Sequence, residues 1–309
     1  MNAWIFPGQG SQFVGMGAGL GSEAARETFT IAKEVLGWDV RAVCLEGPQD
    51  VLAATEAAQP AILTVSVAAA RSLEAAGSFP DVVAGHSVGE FAALVAAHAL
   101  SFEDALRAVC ARADAMAAAG RITTGGMAAI LGLRPDEVED ACTRAGGEVG
   151  VAAINAPTQV VVSGESNAVE ELTTAARNAG ARRVIPLDVS VAAHSTLMEP
   201  AAAALEEALA RATILPPIVP FVSCVVGRAV DDPVEISELL SDALTRPVRW
   251  VDTIHALEGI GALRFFEVGP GRVLAGLMRG IIRDAETTAV GDDDAIARLT
   301  GALAGDRRS

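Results

Sequence analysis

The 309-residue chain has few of the features that mark several common functional classes. Its four cysteines, Cys44, Cys110, Cys142 and Cys224, lie far apart and form no C-x-x-C pair. That spacing argues against a metal site or a disulfide framework and for reduced, mostly buried thiols in a cytoplasmic protein. Lysine occurs once, at Lys33; a GC-rich coding bias accounts for the preference for arginine, and no function is read from it. No apolar run reaches the length of a membrane-spanning helix, so no membrane association is expected. Ala3-Trp4-Ile5-Phe6 already reads as a strand, with no basic segment and long apolar stretch before it, so no signal peptide is expected. Positive charge is also scarce. With 23 basic against 39 acidic residues, the net charge of −16 repels a phosphate backbone and excludes nucleic acid as a general partner. A local group of arginines overrides that mean field at short range, so a small anionic substrate stays open. Nucleotide loops are missing too: no G-x-G-x-x-G fits Gly8–Gly21, and no G-x-x-x-x-G-K occurs.

What is abundant is apolar, at 51% of residues, enough for a sizeable core. The length suits one large domain with a smaller one inserted or appended. Apolar runs at 3–6 and 82–85 read as strands, and 23–36, 57–76, 88–97 and 101–119 read as helices, Ser101 capping the last. Strand-helix alternation predicts an α/β fold with a mostly parallel sheet covered by helices. A break over 120–126 changes the rhythm. Strands at 127–133, 149–155, 159–164 and 182–187, with helices at 135–145 and 166–179, give the β-α-β-β-α-β order of a ferredoxin-like α+β unit. We therefore expect a large hydrolase-like domain over 1–123 and 190–309 and a small inserted domain over 124–189. Beyond it, 200–212 reads as a helix, 218–224 and 263–268 as strands, and 305–309 as a frayed end.

Gly85-His86-Ser87-Val88-Gly89 stands between the strand at 82–85 and the following helix, the pattern of a nucleophile elbow. The turn presents Ser87 at its tip, and the helix N-terminus behind it offers N–H groups to a developing oxyanion. A serine nucleophile needs a base. Only His86, His98, His194 and His255 are available; His86 points to the other side of the elbow and His98 lies at the far end of the next helix. Spacing leaves both His194 and His255 open.

Family resemblance narrows the choice. The chain resembles, nearly end to end, the malonyl-CoA:acyl-carrier-protein transacylases of fatty-acid and polyketide synthesis. The matching segments begin with Phe6-Pro7-Gly8-Gln9-Gly10-Ser11-Gln12, Gly85-His86-Ser87-Val88-Gly89-Glu90 and Arg112. They continue with Asn155-Ala156-Pro157-Thr158-Gln159-Val160-Val161-Val162-Ser163-Gly164 and His194. Pro247-Val248-Arg249-Trp250 and Glu267-Val268-Gly269-Pro270-Gly271 complete the set, in family order. The resemblance implies Ser87 as the nucleophile that carries the acyl group as an ester, and His194 as general base and then general acid. It implies backbone N–H groups of Gln9 and Val88 as the oxyanion hole and Arg112 as receptor for the acyl carboxylate. A guanidinium forks bidentately onto a carboxylate as lysine cannot. His86, Asn155, Val191, Ala192 and Ala193 are expected in the substrate pocket.

The chain departs from the family in two places. Ala243 stands where the family often has a glutamine whose backbone carbonyl orients the histidine, so a Ser–His dyad with a main-chain orienter is expected, and Asp188 is given no role. Val191-Ala192-Ala193 lacks the aromatic frequent in malonyl enzymes and suggests more room at the acyl α-carbon, while Val88 points back to malonyl.

The implied reaction moves malonyl, or a related carboxylated acyl group, from coenzyme A to the phosphopantetheine thiol of an acyl carrier protein. No bound cofactor is expected, and a monomer is. Arg182, Arg183, Arg272 and Arg279 are candidates for docking the acidic carrier. The alternatives are a trans-acting enzyme for a larger extender unit and an editing acyl-thioester hydrolase of the same family.

Overall fold

In the computed structural model, which describes residues 1–187, 189 and 191–306, β1 (Asn2–Phe6) is followed by helices α1 (Glu23–Leu36), α2 (Val40–Glu46), α3 (Gln49–Ala53) and α4 (Thr55–Ala75). Next come β2 (Val82–Gly85), α5 (Gly89–Ala96) and α6 (Phe102–Ile122). A second group comprises β3 (Gly125–Leu131), α7 (Pro135–Arg144), β4 (Val149–Ala156), β5 (Gln159–Glu165), α8 (Ser166–Asn178) and β6 (Arg183–Pro186). The chain then forms α9 (Glu199–Leu209), β7 (Phe221–Ser223), β8 (Arg228–Val230), α10 (Pro233–Asp242) and α11 (Trp250–Ile260). It ends with β9 (Arg264–Val268), α12 (Val273–Ile281), β10 (Glu286–Val290) and α13 (Asp293–Asp306).

The large sheet has the order β10-β9-β1-β2-β7-β8, parallel except for the hairpin partner β8. Every residue of β2 is buried, as is every residue of β1 after Asn2, because helices cover both faces of a parallel sheet. Phe6 pairs with Gly85, so the loops leaving β1 and β2 emerge side by side at the carboxyl edge of the sheet, where open α/β sheets place their ligands.

The small sheet has the order β4-β5-β3-β6 and is antiparallel throughout, the ferredoxin-like arrangement predicted by its β-α-β-β-α-β rhythm. It joins the rest of the molecule through Val248, whose N–H donates to Ala152 O at 2.9 Å and whose carbonyl accepts Ile154 N–H at 2.8 Å.

Several boundaries differ from the sequence reading. Helix α6 runs through Gly120 to Ile122 instead of breaking there, since packing against neighbouring helices outweighs a glycine cost of about 1 kcal/mol. Strand β3 starts at Gly125, where a Cβ would lie 2.6 Å from the Ala192 Cβ. The strand expected over 218–224 contracts to Phe221–Ser223. Of the end expected to fray, Gly305 and Asp306 close α13, while 307–309 lie outside the described residues. Among the described residues no helix is long and apolar enough to cross a membrane.

Candidate active site

At the elbow, Ser87 itself adopts the left-handed conformation, with φ of 54°. The flanking glycines serve close approach, since neither has positive φ. A Cβ on Gly85 would fall 2.1 Å from Glu90 N, and one on Gly89 would fall 2.3 Å from Phe6 O. The serine therefore holds a strain of about 1–2 kcal/mol that surrounding packing sustains.

His194 is the second left-handed residue here, with φ of 62°. Its Nε2 lies 3.0 Å from Ser87 Oγ. On the other side of the ring, Nδ1 faces two backbone carbonyls, Ala243 O at 2.5 Å and Arg246 O at 3.2 Å. Carbonyls only accept, so the ring proton sits on Nδ1 and Nε2 is a bare acceptor for the serine hydroxyl. Burial, aided by the nearby Arg112 and His86, pushes this imidazole down to about 3, and it is neutral near pH 7. His255, which spacing alone left open, lies exposed on α11 beside Glu258, and His98 is exposed at the end of α5. Neither approaches Ser87. Asp188 lies outside the described residues.

Arg112 reaches the same serine from α6. It is 2% exposed, and its Nη2 donates to Ser87 Oγ at 3.0 Å while its Nη1 donates to Gln59 Oε1. Burial lowers the guanidinium to about 10, with Cys224 and Glu90 opposing, and it remains a cation at neutral pH. Among the described residues no carboxylate stands within salt-bridge distance of it. A buried cation without an anion is costly, so this geometry suits an incoming carboxylate.

The loop after β1 brings Gln9 alongside the elbow; a Cβ on Gly8 would lie 2.5 Å from His86 O. Among the described residues the backbone N–H groups of Gln9 and Val88 have no hydrogen-bond partner within the chain.

His86 Nε2 lies 2.8 Å from Asn155 Oδ1, and its ring tilts against Trp250 at 5.3 Å. These two expected pocket residues thus bond to each other, linking the elbow to β4. Val191 and Ala192 are buried, the latter packed against Gly125, and Ala193 is half-buried. A cavity of about 390 Å³ opens beside His194, lined by Val149, Gly150, Val151, Ser163 and Thr196 among others. Arg182, Arg183, Arg272 and Arg279 are all exposed.

Sequence reasoning passed over four groups here. Gln59 and Thr55 on α4 hydrogen-bond within the site, and the Arg246 carbonyl joins Ala243 at His194. Glu90, read only as part of a motif, is buried with Oε1 accepting the Cys224 N–H at 2.8 Å and Oε2 without a hydrogen-bond partner among the described residues. Burial raises its carboxyl to about 7.

A serine on a strand-to-helix elbow, with a neutral histidine and a buried guanidinium both at its hydroxyl, can support acyl transfer in an α/β fold. The chain belongs to the acyl transferase domain family, which it matches over residues 3–301. It is 42% identical over 299 residues to the malonyl CoA-acyl carrier protein transacylase of Bacillus subtilis (strain 168), covering 95% of this chain and 94% of that one. The structure of the malonyl CoA-acyl carrier protein transacylase from Coxiella burnetii superposes with a TM-score of 0.94 at 40% identity, covering 97% and 96% of the two chains. A malonyl-transacylase solved in complex with its type II polyketide synthase acyl-carrier protein superposes with a TM-score of 0.93 at 37% identity, covering 97% and 99%.

Proposed function

We propose that this chain transfers a malonyl group from coenzyme A, through an ester on Ser87, to the phosphopantetheine thiol of an acyl carrier protein. The observation that carries the reading is Arg112, a buried cation with no carboxylate within salt-bridge distance among the described residues, hydrogen-bonded at 3.0 Å to the Ser87 oxygen. A carboxylated acyl group held there has its thioester carbonyl within reach of Ser87.

In the first half-reaction Ser87 Oγ attacks the thioester carbon and its proton passes to His194 Nε2. The Gln9 and Val88 N–H groups stabilise the oxyanion. The C–S bond then breaks, and the proton on His194 goes to the departing coenzyme A sulfur. In the second half-reaction the carrier thiol gives its proton to His194 and attacks the Ser87 ester. Ser87 leaves with that proton, and the dyad is restored. The carbonyls of Ala243 and Arg246 hold the histidine tautomer in both halves, so no aspartate is needed.

The test is intact-mass measurement after incubation with malonyl-, methylmalonyl-, ethylmalonyl- and acetyl-CoA. A malonyl adduct is expected on the wild type, absent from Ser87→Ala and cleared on addition of holo carrier protein. Absence of any dicarboxylic acyl adduct, or clearance equally fast without the carrier, refutes transfer.

A further inference from the structure

Arg112 heads a second chain of hydrogen bonds that the acyl-transfer steps do not use. Its Nη1 donates to Gln59 Oε1. The Gln59 amide therefore turns its Nε2 toward Thr55, donating to Oγ1 at 2.6 Å, and also approaches the Met116 sulfur at 3.3 Å. With that lone pair occupied, the Thr55 hydroxyl donates onward to Gln9 Oε1 at 3.1 Å. The direction is set at its source, because a guanidinium can only donate. Gln59 is 0% exposed and Thr55 6%, so water does not substitute for either link.

Thr55 is the first residue of α4, preceded by Ala54, and that helix end has no side-chain cap. The N-cap position is Ala54, which has no side chain to cap with, and the Thr55 hydroxyl is engaged in the relay. The far end of the relay is the side chain of Gln9, whose backbone N–H the transfer reading assigns to the oxyanion.

We propose that Thr55 is a positioning residue that ties the Gln9 loop to Arg112, so that an acyl carboxylate seated on Arg112 also fixes the oxyanion donor. The inference rests on the malonyl-transfer reading above. In this arrangement the carboxylate is recognised partly in the rate of ester formation, because the donor must be in place when charge develops on the carbonyl oxygen.

The test compares Thr55→Val, which keeps the shape and loses both hydrogen bonds, with Thr55→Ser and Gln9→Leu. Single-turnover ester formation is followed by intact mass with malonyl-CoA and acetyl-CoA. Thr55→Val is expected to lower the maximal rate with malonyl-CoA about tenfold with KM little changed, and to lower the acetyl rate less. Thr55→Ser restores the rate. The Gln9→Leu effect and the Thr55→Val effect do not add in the double variant, since each cuts the same link. Should Thr55→Val fail to fold, Gln9→Leu, on a half-exposed residue, reads the link alone. An unchanged rate, a loss confined to KM, an equal loss with acetyl-CoA, or additive effects overturns the proposal. A wild type that forms no malonyl ester refutes the transfer reading instead, and the two failures are thereby told apart.

Discussion

Replacing Arg112 by alanine tests how the site selects its acyl group. In the malonyl complex the guanidinium would face a carboxylate in a pocket where Arg112 is itself 2% exposed. Taking away one member of a buried charge pair costs about 3–5 kcal/mol, because the other is left without a counterion. In kcat/KM that is roughly 200- to 5,000-fold. Acetyl-CoA brings no carboxylate, so its loss is limited to the Arg112 bonds with Gln59 and Ser87 and to the cavity left behind. Only the Ser87 bond touches the reacting group, and at about 1.5 kcal/mol for a hydrogen bond from a charged donor we expect acetyl loading to fall roughly tenfold. The malonyl-to-acetyl ratio is the informative quantity. Misfolding, cavity collapse or a displaced Ser87 lowers both rates together, and the ratio cancels them. Rapid-quench mass measurement of ester formation on Arg112→Ala at subsaturating acyl-CoA gives both rates in one preparation. A ratio within about threefold of wild type refutes carboxylate pairing at Arg112 and leaves that residue with the serine alone.

Two further outcomes concern stability. The Glu90 carboxyl sits at about 7 in the folded chain against an ordinary value of 4.5, so between those values the native state holds a proton that the unfolded chain has lost. The stability this confers is complete below the unfolded value and falls by about 1.4 kcal/mol per pH unit until the pH passes 7. Glu90→Gln cannot titrate, and its melting temperature relative to wild type should rise between about pH 5 and pH 7 and then level off; a constant difference by scanning calorimetry refutes the assignment. Strain at Ser87 is tested by comparing Ser87→Gly with Ser87→Ala, both without the hydroxyl. Glycine takes a φ of 54° freely and alanine does not, so the glycine variant should be more stable by about 1 kcal/mol, or about 1–2 °C in Tm. An alanine variant of equal or greater stability removes the strain argument.

The elements legible in the sequence are those buried on both faces or strongly periodic. Strands β1 and β2 are apolar runs, β9 carries Phe265, Phe266 and Val268, and α1 is capped by Ser22, whose side chain accepts the Ala25 N–H. Those that escaped are short or half-wet. Strand β8 has three residues, two of them exposed, and β10 is the polar Glu286-Thr287-Thr288-Ala289-Val290 at a sheet edge. Helices α2 and α3 span only seven and five residues, too few for a period to register. Helix α10 starts with a local signal, Asp232 capping Val234 N–H ahead of Pro233, that the reading passed over.

In the site, the sequence offers candidate residues but not their mutual directions. Ser87 and His194 are 107 positions apart, and no local pattern distinguishes His194 from His255; the family resemblance favours His194, and the fold brings its Nε2 to 3.0 Å from Ser87 Oγ. Gln59 and Thr55 lie on a helix buried around nearly its whole circumference, where periodicity marks no single inner face. Once the fold joins these groups, proton positions follow from the ends of the chains inward. Arg112 can only donate, and the carbonyls of Ala243 and Arg246 can only accept. Between them, the Ser87 hydroxyl must accept from Arg112 and donate to His194 Nε2, which is the orientation attack requires. A carboxylate drawing Arg112 away from Ser87 Oγ would free a lone pair on that oxygen while leaving its proton aimed at the base.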